Sequence, residues 1–582
     1  QSKGVLANVK HFAANNQETN RLGINEIISE RALEEIYYPG FRACVEEGGV
    51  QTLMSAYNAI NGIPCTESQH LLRTKLREEW GFEGCVISDW GAVYHPVAAL
   101  LGGTDLAMPG PLEAHEIEKG IAEGTITEEE LDRNVLAILR MAERALEGRR
   151  RKKESCAKIK KKTDRVAYRA ALSGCVLLKN KDFPLQDRKD YGILLAGTGR
   201  EKILACGSGS AGITTDRESY LHETLRGHLV NVSVEISEDT ELKEHLATIS
   251  AGGRTPHVIC VASLNGMEGN DRKDLLLQAY DRNLLHTVTE YKKQSECVLT
   301  LVLNVCGPVD LSEFEDAVDN LWLCFLPGME GARALGDLMC GHANPSGKLP
   351  LTFPRKYEDT PTCLNFPGDG KEVYYGEGIY VGYRYYDKKQ IMPAYPFGFG
   401  LSYTSFHVEI LLPEHVKKAV PGEAGEEMLT FTPEREKELR LSVRIRNTGN
   451  RAGAEVVQLY ISDPVSTLSK PLKELKKFRK IYLETGEEQE FAFVLTKEDF
   501  ASYDPNLHAF TAEEGVYELL IATSSTDIRD VARIYLETDS PYSYGPDTSV
   551  KEFYENPELK ELLLAFWAEQ GWEMQILESN YQ

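Results

Sequence analysis

The sequence predicts a multidomain α/β chain, with two blocks of alternating strand and helix followed by a β-sandwich. Three observations predict it. The 582 residues give a prior of roughly three to four domains at about 150 residues each. Apolar runs of strand length alternate with helical spacers over the first two thirds of the chain, as in parallel α/β sheets and barrels. From about Phe406 onward the pattern becomes a strict apolar–polar alternation, the signature of half-buried strands.

In the first block, residues 1–148, the runs Leu6–Phe12, Gln51–Tyr57 and Gly84–Ser88 read as buried strands. Ser29–Glu47 and Gln69–Glu79 read as helices between them. Thr127 with Glu130 makes a capping box, and Leu131, Val135, Ile138, Leu139 and Ala142 then form one apolar helical face. The basic run Arg149–Lys162 has no interleaved aromatics and falls between two blocks. It reads as a solvated linker or helix end, residues 149–165, rather than a nucleic-acid patch. A second α/β block covers residues 166–403. Its strands are expected at Gly192–Ala196, Val258–Ser263, Val298–Val305 and Leu321–Phe325, as in a doubly wound sheet. Residues 364–403, rich in Gly, Tyr and Pro, read as a long ordered connection. In residues 404–540, Leu441, Val443 and Ile445 share one strand face, and further strands are expected at Val457–Ile461, Phe491–Leu495 and Val516–Ala522. The tail, 541–582, carries a short helix at Pro557–Trp567.

The charge balance, 65 basic against 89 acidic residues for a net −24, repels phosphate backbones and argues against nucleic-acid binding. No apolar run reaches the ~18–20 residues of a membrane helix. Twelve cysteines are scattered without a CxxC pair or a Cys/His cluster. That spacing predicts reduced thiols, no metal site and a cytoplasmic location.

The chemistry-bearing candidates lie at strand ends and on loops. Ile87-Ser88-Asp89-Trp90 ends an apolar strand, where α/β barrels hold their reactive groups. Taken alone, Asp89 also reads as a helix cap. Lys10-His11-Phe12 ends another strand, and the pair suits hydrogen bonds to sugar hydroxyls. Glu268-Gly269-Asn270-Asp271-Arg272 is a Gly-flanked loop after a strand. Residues 207–212 match GxGxxG, but no helix is expected to open on them, so a nicotinamide site is not supported.

Together these segments resemble glycoside hydrolase family 3, of the β-glucosidase and β-xylosidase type. The resemblance rests on GVLANVKHFAANNQETNR (4–21), LMSAYNAINGIPCTES (53–68), GFEGCVISDWGAV (81–93) and GTDLAMPG (103–110). It continues in MEGNDR (267–272), LVLNVCGPVDL (301–311), PGMEGARALGDLMCGHANPSGKLPLTFP (327–354), YPFGFGLSYTSF (395–406) and VRIRNTGNRAGAEVVQLYISDP (443–464).

The resemblance implies a partial (β/α)8 TIM-like barrel, an α/β sandwich and a fibronectin type III-like β-sandwich. It implies that Asp89 is the nucleophile and Glu268 the general acid/base. Lys10, His11, Arg21, Met54, Tyr57, Trp90 and Ser210 match positions around the sugar subsite. A retaining hydrolase of terminal β-D-glucosyl residues is expected, with β-xylosidase and α-L-arabinofuranosidase activity as alternatives within the class. No metal or cofactor is implied, because two carboxylates suffice for an oxocarbenium-like transition state. If Glu268 is not the acid, Asp271 is the next carboxylate to consider. A whole barrel needs ~250 residues and eight strands, so residues 1–148 are expected to supply the C-terminal half of one, with about four strands. The alternative reading is therefore a non-catalytic remnant or fragment. The expected partner is a β-glucoside or oligosaccharide; a homo-oligomer or a complementing barrel fragment is left open.

Overall fold

The computed structural model describes residues 1, 3–110, 114–150, 155–215, 217–412, 428–539 and 557–571. The first unit holds β1 (Asn8–Phe12), β2 (Asn25–Ile27), β3 (Thr52–Ser55), β4 (Ala59–Ile60), β5 (Ile63–Pro64) and β6 (Cys85–Ser88). β1, β3 and β6 form a parallel sheet in that order, with Ser55 level with Phe12 on one side and Ser88 on the other. The strand ends that carry His11 and Asp89 therefore open on the same rim. Phe12, Leu53, Leu72, Leu76 and Val86 fill the core beneath, where Phe12 packs against Tyr38, Phe41 and Trp80 at ring-centroid distances of 5.8, 4.9 and 5.6 Å.

About four parallel strands are expected in this unit, and three form. The fourth is reduced to a single parallel bridge between Ile87 and Leu106. Backbone bonds from Ser88 N to the Leu106 carbonyl and from Leu106 N to the Val86 carbonyl make this bridge, and side chains add to it: the Asp105 carboxylate accepts the Val86 N–H, and the Asn134 amide donates to the Thr104 carbonyl. The expected capping box forms, with Thr127 N donating to Glu130 and Glu130 N to the Thr127 hydroxyl.

Of the two readings of the basic run, the helix end fits its start, and among the described residues an unstructured linker over 149–165 does not form. Helix Glu128–Arg150 runs into the basic stretch, and a second helix, Cys156–Gly174, takes up the rest from Cys156. Residues 151–154 lie outside the described residues. Lys and Arg are good helix formers, so a basic run that joins two blocks need not be extended. The second helix docks on the sandwich through Tyr168, whose hydroxyl bonds Asp337 and whose ring lies under Arg333 at 4.4 Å.

The second unit is a six-stranded sheet made of β7 (Val176–Lys179), β8 (Tyr191–Ala196), β9 (Ser233–Ile236), β10 (Thr255–Leu264), β11 (Val298–Val305) and β12 (Asn320–Leu323). The order is β7-β12-β11-β10-β8-β9, with β7 alone antiparallel. Apolar cores lie on both faces, so the central strands read as continuous apolar runs. The connection is bound to the first unit: β13 (Glu372–Tyr374) pairs in parallel with β2, and the Tyr375 hydroxyl donates to the Ala14 carbonyl at 2.8 Å.

The third unit packs a sheet of β14 (Phe406–Leu411), β16 (Leu439–Asn447) and β19 (Glu488–Leu495) on a five-stranded one. The latter comprises β15 (Leu429–Phe431), β17 (Gly453–Ser462), β18 (Glu474–Leu483), β22 (Gly515–Ser524) and β23 (Asp527–Leu536); β20 (Ser502–Asp504) and β21 (Ala509–Thr511) form a small hairpin. Leu441, Val443 and Ile445 point into the core together. The hairpin reaches the first unit, where Tyr503 donates its hydroxyl to Glu30 and its N–H to Glu35. In the tail only the helix Pro557–Glu569 and the two residues after it are described. Among the described residues no helix is long and apolar enough to cross a membrane.

Candidate active site

Asp89 follows β6 and is 8% exposed. Its N–H donates to the Ser55 carbonyl at 3.1 Å, which ties it to the end of β3. Its Oδ1 accepts the Trp90 N–H at 2.7 Å, and its Oδ2 lies 3.4 Å from His11 Nε2. The next helix begins only at Pro96, so Asp89 caps nothing and its carboxylate faces the rim. Burial and the neighbouring Lys10 ammonium lower the His11 pKa, and this outweighs the attraction of Asp89.

Tyr57 and Arg21 connect Asp89 to the second unit. The Tyr57 hydroxyl donates to the Trp90 carbonyl at 3.0 Å. Burial, and then the Asp89 carboxylate, raise the pKa of this phenol. Arg21 lies over the Tyr57 ring at 4.6 Å. Its Nη1 meets Glu18 at 2.8 Å, and its Nη2 donates to Glu268 Oε1 at 3.1 Å. Glu268 arrives on the loop after β10. Its Oε2 accepts the Ser210 N–H at 2.8 Å. Hydrogen bonds from Ser210, with a further one from Arg21, hold this carboxyl down at about 2, so it is ionised in this arrangement.

The glycine-rich loop 207–212 serves this contact. Gly209 has φ +73°, and a Cβ there would sit 2.8 Å from that of Glu268, so only glycine allows the approach. Gly209–Ala211 make a single 3-10 turn within the loop, and the next α-helix opens only at Leu221.

The expected residues are not equally engaged. Asp89, His11, Tyr57, Arg21, Trp90, Ser210 and Glu268 form one connected set. Trp90 presents a ring that is 64% exposed. Lys10 is exposed beside His11, and Met54 is half-buried on β3 level with Ile87. Asp271 is not a spare acid: its Oδ2 accepts Glu18 N, Thr19 N and the Thr19 hydroxyl at 2.9, 2.7 and 2.7 Å. Arg272 holds no carboxylate and donates instead to the Pro308 carbonyl. Among the described residues no cluster of His, Cys, Asp and Glu has the form of a metal site.

Three family profiles match the chain in order. The Glycosyl hydrolase family 3 N terminal domain matches residues 1–141, its C-terminal domain 175–403, and a Fibronectin type III-like domain 455–525. Thermostable beta-glucosidase B of Acetivibrio thermocellus is 37% identical over 91% of this chain and 69% of its own length.

The chain belongs to glycosyl hydrolase family 3.

Solved family 3 structures share the fold. The β-glucosidase of Bifidobacterium adolescentis superposes with a TM-score of 0.83 at 32% identity, over 97% of this chain and 81% of that one. β-Glucosidase 3B of Thermotoga neapolitana, solved with α-D-glucose, gives 0.79 at 35%, over 92% and 78%. The three-part architecture is thus that of a family 3 glycoside hydrolase: barrel domain, α/β sandwich and fibronectin type III-like domain.

Sequence reasoning missed Glu18, Thr19 and the true part of Asp271. Glu18 Oε2 binds Arg21 and also accepts the Gly269 N–H at 2.7 Å. The one sequence signal was the spacing Glu18–Arg21, three residues apart inside a motif already singled out.

Proposed function

We propose that this site removes terminal β-D-glucosyl residues from β-glucosides with net retention. The carrying observation is that Asp89, at the end of β6, and Glu268, from the sandwich loop, belong to one cluster linked through Tyr57 and Arg21. Similarity to β-glucosidases, one of them solved with glucose, supports the substrate class.

In this reading Asp89 attacks the anomeric carbon and forms a glycosyl ester as the aglycone oxygen leaves. Glu268 gives that oxygen its proton, then takes one from the water that opens the ester. The donor step needs a protonated carboxyl, whereas Arg21 and Ser210 hold Glu268 ionised in this state. Binding of the glucoside must therefore draw these donors away from Glu268, and sugar hydroxyls are suitable competitors for Arg21. His11 and Arg21 line the hydroxyl side of the pocket, and Trp90 supplies an apolar face.

Proton NMR of aryl β-glucoside cleavage by the full chain tests this reading. β-Glucose appearing ahead of its α anomer supports it. α-Glucose appearing first, or no cleavage, contradicts it.

A further inference from the structure

We propose that Asp271 and Glu18 are positioning residues: together they staple the sandwich loop that carries Glu268 to barrel-domain loop 18–21, and so fix where its carboxyl stands. The proposal rests on the acid/base assignment of Glu268 made above.

The two loops lie about 250 residues apart in sequence, and their meeting is built from both sides. From the sandwich side, Asp271 Oδ2 takes three donors from two consecutive residues, Glu18 and Thr19. From the barrel side, Glu18 Oε2 takes the Gly269 N–H at 2.7 Å while also holding Arg21 Nη1 at 2.8 Å. Arg21 returns to Glu268 through Nη2. Glu268, Arg21, Glu18 and Gly269 thus close a ring, and Asp271 locks that ring's barrel segment three residues further along. Hydrogen bonds to an ionised carboxylate are the strong kind. Gly269, at φ +80°, permits the turn between Glu268 and Asp271 that lets both reach the barrel at once.

A carboxylate already taking three donors on one oxygen is poorly suited to proton transfer but well suited to holding a loop. The staple matters because general acid catalysis needs its donor within hydrogen-bond reach of the leaving oxygen. A misplacement of about 1 Å costs on the order of 100-fold.

The test compares Asp271→Asn, Thr19→Val and Glu268→Ala in the full chain, on an activated dinitrophenyl β-glucoside and on a poor leaving group such as an alkyl β-glucoside. For Asp271→Asn, kcat/KM on the alkyl glucoside should fall by roughly 100-fold, with kcat/KM on the activated substrate little changed. Thr19→Val, which removes a single donor, should show a smaller loss of the same kind. Amide exchange read by mass spectrometry provides an arm that needs no turnover and no loss of fold. Protection around Glu18 and Thr19 should drop in Thr19→Val and Asp271→Asn, while β10 and β11 keep theirs.

Equal losses of kcat/KM on both substrates, or unchanged exchange at residues 18–19, would overturn the staple. If Glu268→Ala shows the leaving-group dependence and Asp271→Asn does not, the staple alone fails. If Glu268→Ala shows none, the acid/base assignment fails first.

Discussion

The Ser210 N–H lies 2.8 Å from Glu268 Oε2, so a glycine-rich turn of the sandwich cradles the carboxylate that its neighbouring loop extends over the barrel rim. A sequence motif that matches GxGxxG is here a seat for an acidic side chain. Ser210 and Arg21 divide the carboxylate between them, one oxygen each.

Removing either donor should raise the Glu268 pKa. The carboxyl sits at about 2, through Ser210 first and Arg21 further down. The folded value is depressed, so these contacts favour the folded state above the ordinary carboxylate pKa and lose their effect as pH falls towards 2. Ser210→Ala, which removes the hydroxyl but keeps the N–H bond, and Arg21→Gln should each move the titration upward, as followed by carboxyl-carbon NMR. An unshifted titration in both variants would show that neither donor holds the group.

Gly209→Ala should damage acid catalysis more than the fold. The added methyl meets the Glu268 side chain at 2.8 Å, at a backbone φ of +73°, and strain of this kind costs about 1–3 kcal/mol. The expected result is a larger loss of kcat/KM on poor than on activated leaving groups, with a modest drop in melting temperature. Equal losses on both substrates would count against the cradle.

Glu26 should make the first unit less stable as the solution becomes alkaline. Its carboxyl is fully buried, and burial pushes its pKa up to about 8. The native state therefore binds a proton that the unfolded chain has lost above the ordinary value. Stability should fall as pH rises from about 5 to 8. Glu26→Gln keeps the shape, including contact with the Asn58 amide that now donates to Oε2 at 2.6 Å, and needs no proton. Relative to wild type it should gain on the order of 1–3 kcal/mol across that window, measured as melting temperature against pH. A constant difference between the two proteins would contradict this.

Trp90→Ala should weaken substrate binding and leave the fold alone. The ring is mostly exposed, and its backbone bonds to Asp89 and Tyr57 survive the substitution. KM should rise by roughly tenfold, equivalent to about 1.4 kcal/mol. Stability should change by no more than about 0.5 kcal/mol, as for other surface positions. Steady-state kinetics and a thermal melt check both; an unchanged KM would remove Trp90 from the subsite.

Much of the fold was legible because its central strands are continuous apolar runs. β8, β10 and β11 and the alternating residues of β16 needed no tertiary information. The short edge strands β7 and β9 were not read as strands, although β12, equally short, was. The β13–β2 pairing joins Val373 to Glu26, and nothing local announces a partner so distant. The site divides in the same way. Asp89 and Glu268 stood out as carboxylates at a strand end and on a glycine-flanked loop. The duties of Glu18, Thr19 and Asp271 exist only once two domains meet, so Asp271 read as a reserve acid although one of its oxygens takes three donors. Lys10 and Met54 matched the pattern; Lys10 acts on the cluster through its charge beside His11, and Met54 stands half-buried on β3.

The account depends most on Asp89 as the nucleophile. A β-glucoside that carries fluorine beside the anomeric carbon and an activated leaving group should slow the second displacement and trap the ester. Peptide mass spectrometry of the treated full chain then reads which residue holds the sugar. The account predicts a single fluoroglucosyl adduct on the peptide containing Ile87-Ser88-Asp89-Trp90, absent in Asp89→Asn. An adduct on any other carboxylate, or steady turnover of ordinary substrate with no adduct formed, would contradict it.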